Sequence, residues 1–143
     1  MIGDNFIHSE ITGKILKSFF NVYNAIGFGF PEKVYENALS IELKKAGLSC
    51  EKQKPISVYY DNEVVGSYFA DLVIEEKIIV ELKAVEAIIE QHEIQIINYL
   101  RATNMEVGLL LNFGVQPQYK RKVLSNEFKK HTNASTGKTI KTP

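Results

Sequence analysis

The sequence has a single cysteine, Cys50, and no tryptophan among its 143 residues. One cysteine cannot form an intrachain disulfide, so nothing in the sequence asks for an oxidising compartment. The first ten residues include Asp4 and Glu10 and lack the cationic start and apolar block of a secretory signal. No apolar run approaches the ~20 residues that a membrane span needs. The sequence therefore predicts a cytoplasmic protein without a membrane segment.

An excess of charge of either sign is also absent, because 17 basic residues balance 17 acidic ones. A neutral chain does not coat nucleic acid through many phosphate contacts, although a local basic groove is compatible with it. Basic residues do cluster late in the chain, at Lys120, Arg121, Lys122, Lys129 and Lys130. Taken alone, this cluster is typical of the solvated face of a helix.

The sequence is rich in apolar residues, which make up 45% of it and include eight Phe and seven Tyr. This content is enough to bury one core, and the length is that of one domain. We predict a single domain over residues 1–130. The polar segment 131–143 has no large apolar residue apart from Ile140 and is predicted to be a flexible tail.

Two helices are predicted before residue 50. The first would begin at Ser9, an N-cap type of residue, and end near Ile26. Its apolar residues recur every four positions, at Ile11, Ile15, Phe19 and Tyr23. Residues 27–31 break this helix, and Pro31 suits the first turn of a second one, for which Gly47 is a natural stop.

The pattern changes to alternation after Ser49 and predicts an antiparallel meander of three strands, the last two over 64–74 and 77–84. A third helix is predicted over 86–103, a buried strand over Val107–Phe113, and a last helix over 119–130. This order predicts a mixed sheet flanked by helices. The fold class is α/β in the loose sense and α+β by the stricter definition.

The strand over 78–84 carries the most informative residues. Side chains alternate across a strand, so Glu81 and Lys83 share a face with the apolar Ile79. Asp71 lies within another apolar strand, where an unpaired buried charge is costly. A magnesium ion would explain both acids, since it binds one or two carboxylates together with water and substrate phosphate. The Leu82 carbonyl would join Asp71 and Glu81 as a ligand.

Lys83 would then neutralise charge on a scissile phosphate, or help to position and deprotonate the attacking water. Structural explanations stand beside these assignments. An acid followed two residues later by lysine is frequent and is usually a solvated pair. Glu32 lies in a first helical turn, where the helix dipole stabilises an acid by ~0.3–1 kcal/mol. Gln95 and Tyr99 share a helix face, as a surface amide and a core phenol ordinarily would, and His92 is typical of a surface histidine.

Strand register decides whether the two acids can meet. A two-residue turn at Glu75–Glu76 would place Asp71 and Glu81 on opposite faces of the sheet. A three-residue connection pairs Ile74 with Ile78 and sets Asp71 opposite Glu81, with their Cβ atoms about 4.5–5.5 Å apart. Glu-Glu is a poor sequence for a tight hairpin turn. We therefore predict the odd-length connection, or a bulge that restores its parity.

Several blocks of the sequence resemble a known family. Residues 29–35, GFPEKVY, match the GxxExxY signature that names a group of small bacterial and archaeal proteins. Further matching blocks follow in order at 69–73 (FADLV), 80–84 (VELKA), 92–100 (HEIQIINYL) and 108–114 (GLLLNFG). The resemblance covers roughly residues 11–122. This group is similar to a branch of the PD-(D/E)XK phosphodiesterases, which implies a restriction-endonuclease-like αβββαβ core.

The resemblance also implies roles for individual residues. Asp71, Glu81 and Lys83 would be the D…ExK set, and Glu32 matches the helical acid that often completes the metal site. The segment 95–99, QIINY, resembles the QxxxY motif of the RecB and lambda-exonuclease branch. Gln95 and Tyr99 would therefore flank the active site and complete the predicted catalytic set.

The sequence departs from the pattern at two positions. Ala70 replaces the proline that names the superfamily, and Tyr23 stands where many members of the group carry histidine.

Two functions are open at this point. The first is a nuclease that uses Mg²⁺ or Mn²⁺ to hydrolyse nucleic-acid phosphodiester bonds, with DNA favoured over RNA. The second is a non-catalytic module that keeps the fold and binds nucleic acid or protein. Retention of Asp71, Glu81 and Lys83 together favours the enzyme. A homodimer is left open as the oligomeric state.

Overall fold

The computed structural model describes residues 7–129. The helices are α1 (Ser9–Ile26), α2 (Glu32–Lys45) and α3 (Glu90–Arg101). The strands are β1 (Cys50–Tyr60), β2 (Glu63–Ile74), β3 (Ile78–Lys83), β4 (Val107–Phe113) and β5 (Pro117–Val123), followed by a 3-10 turn over Asn126–Phe128. The tail predicted over 131–143 lies outside the described residues.

The strands form a five-stranded sheet in the order β1-β2-β3-β4-β5. The first three are antiparallel neighbours, β3 and β4 run parallel with α3 between them in the chain, and β5 returns antiparallel to β4. The predicted meander, crossover helix and mixed sheet are therefore confirmed. The architecture is α/β with a restriction-endonuclease-like arrangement.

Helices cover the sheet on both faces, which produces two apolar cores. The larger core lies between the sheet and the helix pair α1–α2, and includes Phe19, Tyr35 and Leu82. The smaller one lies beneath α3 and includes Ile79 and Ile96. Every residue of β4 is buried, as expected for a central strand covered on both faces. The apolar Ile79 beside Glu81 and Lys83 thus belongs to the core under α3.

The first two helices agree with the periodicity of the sequence, with small differences at their starts. The predicted cap at Ser9 is wrong, because Ser9 is already helical and the N-cap is His8, which makes no side-chain capping bond. Pro31 is the N-cap of α2 and not part of its first turn. Its fixed φ of −63° is compatible with a helix that starts at Glu32. The third helix is shorter than the predicted 86–103.

The helix predicted over 119–130 is wrong. Residues 117–123 form β5, in which the side chains alternate between the two faces of the sheet. Tyr119 packs edge-on against Phe20 of α1, whereas Lys122 on the other face pairs with Glu93 of α3. Arg121, on the Tyr119 side, donates a 2.8 Å bond to the Ile7 carbonyl. The consecutive basic residues 120–122 are therefore split between the two faces.

No helix within residues 7–129 combines the length and the apolarity needed to cross a bilayer.

Candidate active site

The register between β2 and β3 places the two predicted acids side by side. Ile74 pairs with Ile78 and Leu72 pairs with Val80, so the predicted three-residue connection is confirmed. Continuing the pairing by one residue sets Asp71 opposite Glu81. Residues opposite each other in an antiparallel pair point to the same face. Glu81 lies on the α3 face of the sheet with Lys83, since its neighbours Val80 and Leu82 pack in the core under α1 and α2. At Asp71 the alternation of β2 is interrupted, because Ala70 belongs to the core under α3 and Leu72 to the other core. The position of the Asp71 carboxylate is therefore given by its hydrogen bonds.

The connection itself differs in one respect from the prediction. Glu75 and Glu76 adopt positive φ values of 56° and 55°, and the Lys77 N–H donates to the Ile74 carbonyl at 2.9 Å. A tight turn of left-handed residues thus forms despite its unfavourable Glu-Glu sequence. Lys77 is the extra residue that restores the odd parity.

Each acid accepts a main-chain hydrogen bond from the strand that carries the other acid. The Asp71 N–H donates to Glu81 Oε2 at 2.9 Å, and the Leu82 N–H donates to Asp71 Oδ2 at 2.8 Å. The Leu82 side chain packs into the opposite core, so its main chain is the part that adjoins Asp71. These bonds hold the two carboxylates against the sheet.

Glu81 is the electrostatically unusual member of the pair. Only 4% of it is exposed, and burial, followed by the neighbouring Asp71 charge, raises its pKa from 4.5 to about 8. The bond from Asp71 and the charge of Lys83 act in the opposite direction, while Glu32 adds a further small increase. A buried acid beside a second acid is the situation that a bound cation relieves.

The predicted helical residues reach the same face. Lys83 Nζ donates to Gln95 Oε1 at 3.4 Å, and Gln95 Nε2 donates to the Tyr99 hydroxyl at 3.2 Å. Burial, then the charges of Glu81 and Asp71, raises the pKa of Tyr99 to about 12. The structure therefore brings Gln95 and Tyr99 of α3 to the acids and the lysine, and does not place them in open solvent.

Glu32 and His92 lie at the margin of this group. Glu32 is the first residue of α2, and it is exposed. Its charge opposes the lowering of the His92 pKa, which results mainly from burial and secondly from Lys83. His92 Nδ1 accepts a 3.1 Å bond from the Ile89 N–H and so caps the start of α3. His92 thus has a structural role, and Glu32 lies close enough to act on the site through its charge.

The donor set fits a divalent cation in part. Within residues 7–129, no group of three or more His, Cys, Asp or Glu side chains is arranged to hold a metal ion. The structure thus does not bring Glu32 together with Asp71 and Glu81 as a third direct ligand. A pair is nevertheless sufficient for Mg²⁺, which uses one or two carboxylates and keeps several waters. The close pair of acids, one of them buried with a raised pKa, meets that requirement.

Two residues of the site were missed by sequence reasoning. Gln53 Nε2 lies 3.1 Å from Glu36 Oε1 and 3.3 Å from Asp71 Oδ1, so it bridges a helical acid to the predicted ligand. Gln53 has a left-handed φ of 52° and lies between Lys52 and Lys54, which pair with the residues on either side of Asp71. Glu36 lies one helical turn after Glu32, and that spacing could have identified it. Nothing in the local sequence distinguishes Gln53.

A third missed residue supports the segment that follows Lys83. Asn112 is buried at the end of β4, where its side-chain oxygen accepts from the Val85 N–H at 3.0 Å. Its side-chain nitrogen donates to the Val85 carbonyl at 2.9 Å. This pair of bonds fixes the chain immediately beyond the lysine.

The sheet, its covering helices and the acid pair beside a lysine are those of a restriction-endonuclease-like protein. A family model of the PD-(D/E)XK nuclease superfamily matches residues 9–123, and the chain belongs to this superfamily. No curated protein and no solved structure significantly matches the chain.

Proposed function

We propose that this protein is a metal-dependent nuclease of the GxxExxY branch that hydrolyses phosphodiester bonds, with DNA favoured over RNA as its substrate. The observation that carries the proposal is the pair of hydrogen bonds that join Asp71 of β2 to Glu81 and Leu82 of β3, directly before Lys83. Membership of the PD-(D/E)XK nuclease superfamily supports the reaction class. The match of residues 29–35 to the GxxExxY signature supports the branch.

Asp71 and Glu81 are the residues that would hold Mg²⁺ or Mn²⁺, with the Leu82 carbonyl as a further oxygen ligand. The cation would supply positive charge against the scissile phosphate and lower the pKa of an attacking water. Glu32 would add negative charge from α2. Glu81 has a raised pKa without metal, so a cation must displace a proton from it near neutral pH.

Lys83 would act on the phosphate or on the water from its position two residues beyond Glu81. Its bond to Gln95, which in turn bonds Tyr99, holds the ammonium group near the acids. A positioned lysine stabilises the charge that develops on a phosphate in the transition state, where fixed donors have their largest effect. Gln95 and Tyr99 thus orient Lys83 and border the space in which a phosphate would lie.

The experiment is a cleavage assay with labelled single-stranded, duplex and branched DNA, and with RNA of matching sequence. The wild-type chain should cleave at least one of these with Mn²⁺ or Mg²⁺ and none with EDTA. Asp71→Asn should abolish that cleavage, which also excludes a contaminating nuclease. Glu127→Gln, an exposed acid in the 3-10 turn, is the matched control and should cleave normally.

Binding of these substrates without cleavage by the wild type under any metal would favour the non-catalytic module instead.

A further inference from the structure

A cavity of about 360 Å³ opens beside the end of β3. Three chain segments line it: residues 28–30 before α2, residues 84–86 after β3, and residues 113–115 at the end of β4. None of the predicted site residues lines it, but Ala84 directly follows Lys83 in the chain. Phe30 lies two residues before Glu32, whose charge acts on Glu81, so the cavity is next to the proposed active site at the end of the sheet. It lies at the carboxyl ends of the parallel strands β3 and β4, where open α/β sheets place their ligand crevices.

Two phenylalanines from the segment between α1 and α2 form one wall of the cavity. Phe28 is 57% exposed and Phe30 is 46% exposed. Neither belongs to the apolar core, although both are large aromatic side chains. Adjoining exposed aromatic residues at the mouth of a cavity indicate a binding surface.

The wall is held in place before any ligand arrives. The Tyr35 hydroxyl donates to the Gly27 carbonyl at 2.6 Å and accepts from the Phe30 N–H at 3.2 Å. Gly29 lies between the two phenylalanines at a φ of 111°, a conformation that residues with a Cβ rarely adopt. A preformed wall lowers the entropy that a ligand loses on binding.

A second tyrosine braces the opposite wall. The Tyr23 hydroxyl bonds the carbonyls of Gly114 and Val115 just beyond β4, at 2.9 Å in the case of Gly114. The position at which related proteins are expected to carry histidine therefore has a structural use here. Both sides of the cavity are fixed by phenol hydroxyls from helices α1 and α2.

The chemistry of the lining selects the kind of ligand. Aromatic faces and apolar side chains dominate it, while the exposed Glu86 adds a negative charge that repels phosphate. A flat, uncharged group with a π-face is therefore preferred. The volume lies near the lower end of the ~300–1,000 Å³ range of small-molecule pockets, so a single base fits better than a longer segment.

We propose that this cavity binds one unpaired nucleobase of the substrate, stacked on Phe28 or Phe30, next to the phosphate that is cleaved. The inference rests on the proposed nuclease function, and it adds the substrate class. Base stacking on aromatic side chains is how proteins hold single strands, and a base within a duplex does not present its face. The substrate is then single-stranded or locally unpaired nucleic acid.

Phe28→Ala tests the stacking contact, and Phe128→Ala is the matched control. Phe128 is 61% exposed and lies beyond the other end of β4, since its neighbour Asn126 bonds Glu106 and Asn104. The Kd of a fluorescent single-stranded oligonucleotide is measured by anisotropy in EDTA, so that cleavage does not interfere. Phe28→Ala should weaken binding by roughly 5-fold to 150-fold, the range for losing one base–aromatic stack. Phe28→Trp should restore it, and Phe128→Ala should leave it unchanged.

A second arm uses the wild-type protein and so does not depend on how well a variant folds. Oligonucleotides that carry one abasic site at successive positions are compared with the intact strand. An abasic site at one position should weaken binding about as much as Phe28→Ala or Phe30→Ala weakens binding of the intact strand. The matching variant should lose nothing further on that abasic strand, since the same contact cannot be lost twice.

The base subsite would be overturned if the affinity losses from the variant and from the abasic site simply added. Equal effects of Phe28→Ala and Phe128→Ala on Kd would overturn it as well. Failure of the wild type to bind any single strand would overturn it too. Failure of the nuclease proposal looks different, because the non-additive binding pattern would persist while no substrate is cleaved. Cleavage with unchanged Kd and KM in Phe28→Ala and Phe30→Ala would leave the nuclease standing and remove the subsite.

Discussion

The main-chain N–H of Asp71 donates a 2.9 Å hydrogen bond to the side chain of Glu81, ten residues later in the chain. The ladder pairs the next residue, Leu72, with Val80, and this register brings the main chain of Asp71 to Glu81. A slip of one residue would break the hydrogen bond and would also move one acid to the other face of the sheet. The strand register and the proposed metal site are therefore specified by the same contact.

Metal binding should follow from this pair. Mg²⁺ or Mn²⁺ should raise the melting temperature of the wild type by mass action, equivalent to ~2.7 kcal/mol at a hundred times Kd. Asp71→Asn removes one of the two carboxylates and should abolish the shift, whereas Glu127→Gln should keep it. Isothermal titration calorimetry and thermal melts measure both effects. Absence of binding heat with the wild type at millimolar metal would contradict the assignment.

The stability of the metal-free protein should fall as the pH rises through the titration of Glu81. Its pKa is about 8 in the fold against 4.5 for an ordinary Glu, so the folded state holds an extra proton between these values. Stability decreases with pH wherever the folded state binds more protons than the unfolded state. The stabilisation that the protonated Glu81 contributes is thus fully present below about pH 4.5 and is lost by about pH 8.

Urea denaturation in EDTA between pH 5 and 8 measures this dependence. Glu81→Gln cannot titrate and should show a flatter profile than the wild type over the same range. Saturating metal should flatten the wild-type profile as well, because the cation replaces the proton. Parallel profiles for the wild type and Glu81→Gln in EDTA would show that another group is responsible.

Removing the lysine should separate catalysis from metal binding. Lys83→Ala should lower kcat by about 10²–10⁴-fold, the usual contribution of a positioned acid–base group. Its affinity for metal should stay close to that of the wild type. Gln95→Ala should lower kcat less, since it frees the Lys83 side chain without removing it. Lys77→Ala in the β2–β3 turn is the control and should keep the wild-type kcat. A Lys83→Ala enzyme with wild-type kcat would make the assigned role wrong.

Gln53 should matter to the site although it would not be a ligand. Its amide bridges Glu36 and Asp71, and loss of a group that orients a metal ligand typically costs about 10–100-fold in metal affinity. Gln53→Ala should show such a loss by calorimetry with little change in stability, because Gln53 is exposed. Lys54→Ala in the same strand should bind metal normally.

The fold could be predicted from the sequence wherever one periodicity dominates. Four-residue spacing identified α1, and the nearly all-apolar segment 107–113 identified a buried strand. The segment 119–130 misled because Lys120, Arg121 and Lys122 are consecutive and suggest a charged helix face. The alternation of Tyr119, Arg121 and Val123 with the residues between them is that of a strand. It could be interpreted only with the knowledge that α1 covers one face of the sheet and α3 the other.

The site could be predicted only as far as the motif and the register reach. The placement of Asp71 against Glu81 followed from the parity of the connection. The bridge through Gln53 did not, because it depends on the pairing of β1 with β2 and on a left-handed residue. The cavity could not be predicted from the sequence either. Its walls come from three segments that are far apart in the chain, with more than fifty residues between Phe30 and Ala84, and that meet only in the folded protein.

Among the glycines within residues 7–129, Gly114 should be the least tolerant of a side chain. A Cβ at this position would lie 2.3 Å from the Val85 carbonyl oxygen and 3.1 Å from the Asn112 side-chain nitrogen. The carbonyl cannot retreat easily, because it accepts the hydrogen bond from Asn112. Gly114→Ala should therefore cost about 1–3 kcal/mol, as overpacking does, and should displace the chain beyond Lys83.

Gly13→Ala is the matched control for that substitution. Gly13 is exposed inside α1, and an added Cβ there would meet nothing within 4 Å. Alanine should stabilise the helix at this position by roughly 0.5–1 kcal/mol, so the two substitutions should move the free energy of unfolding in opposite directions. Urea denaturation gives both values, and cleavage should fall only in Gly114→Ala. Equal stability of the two variants would contradict the close approach of Gly114 to the Val85 carbonyl.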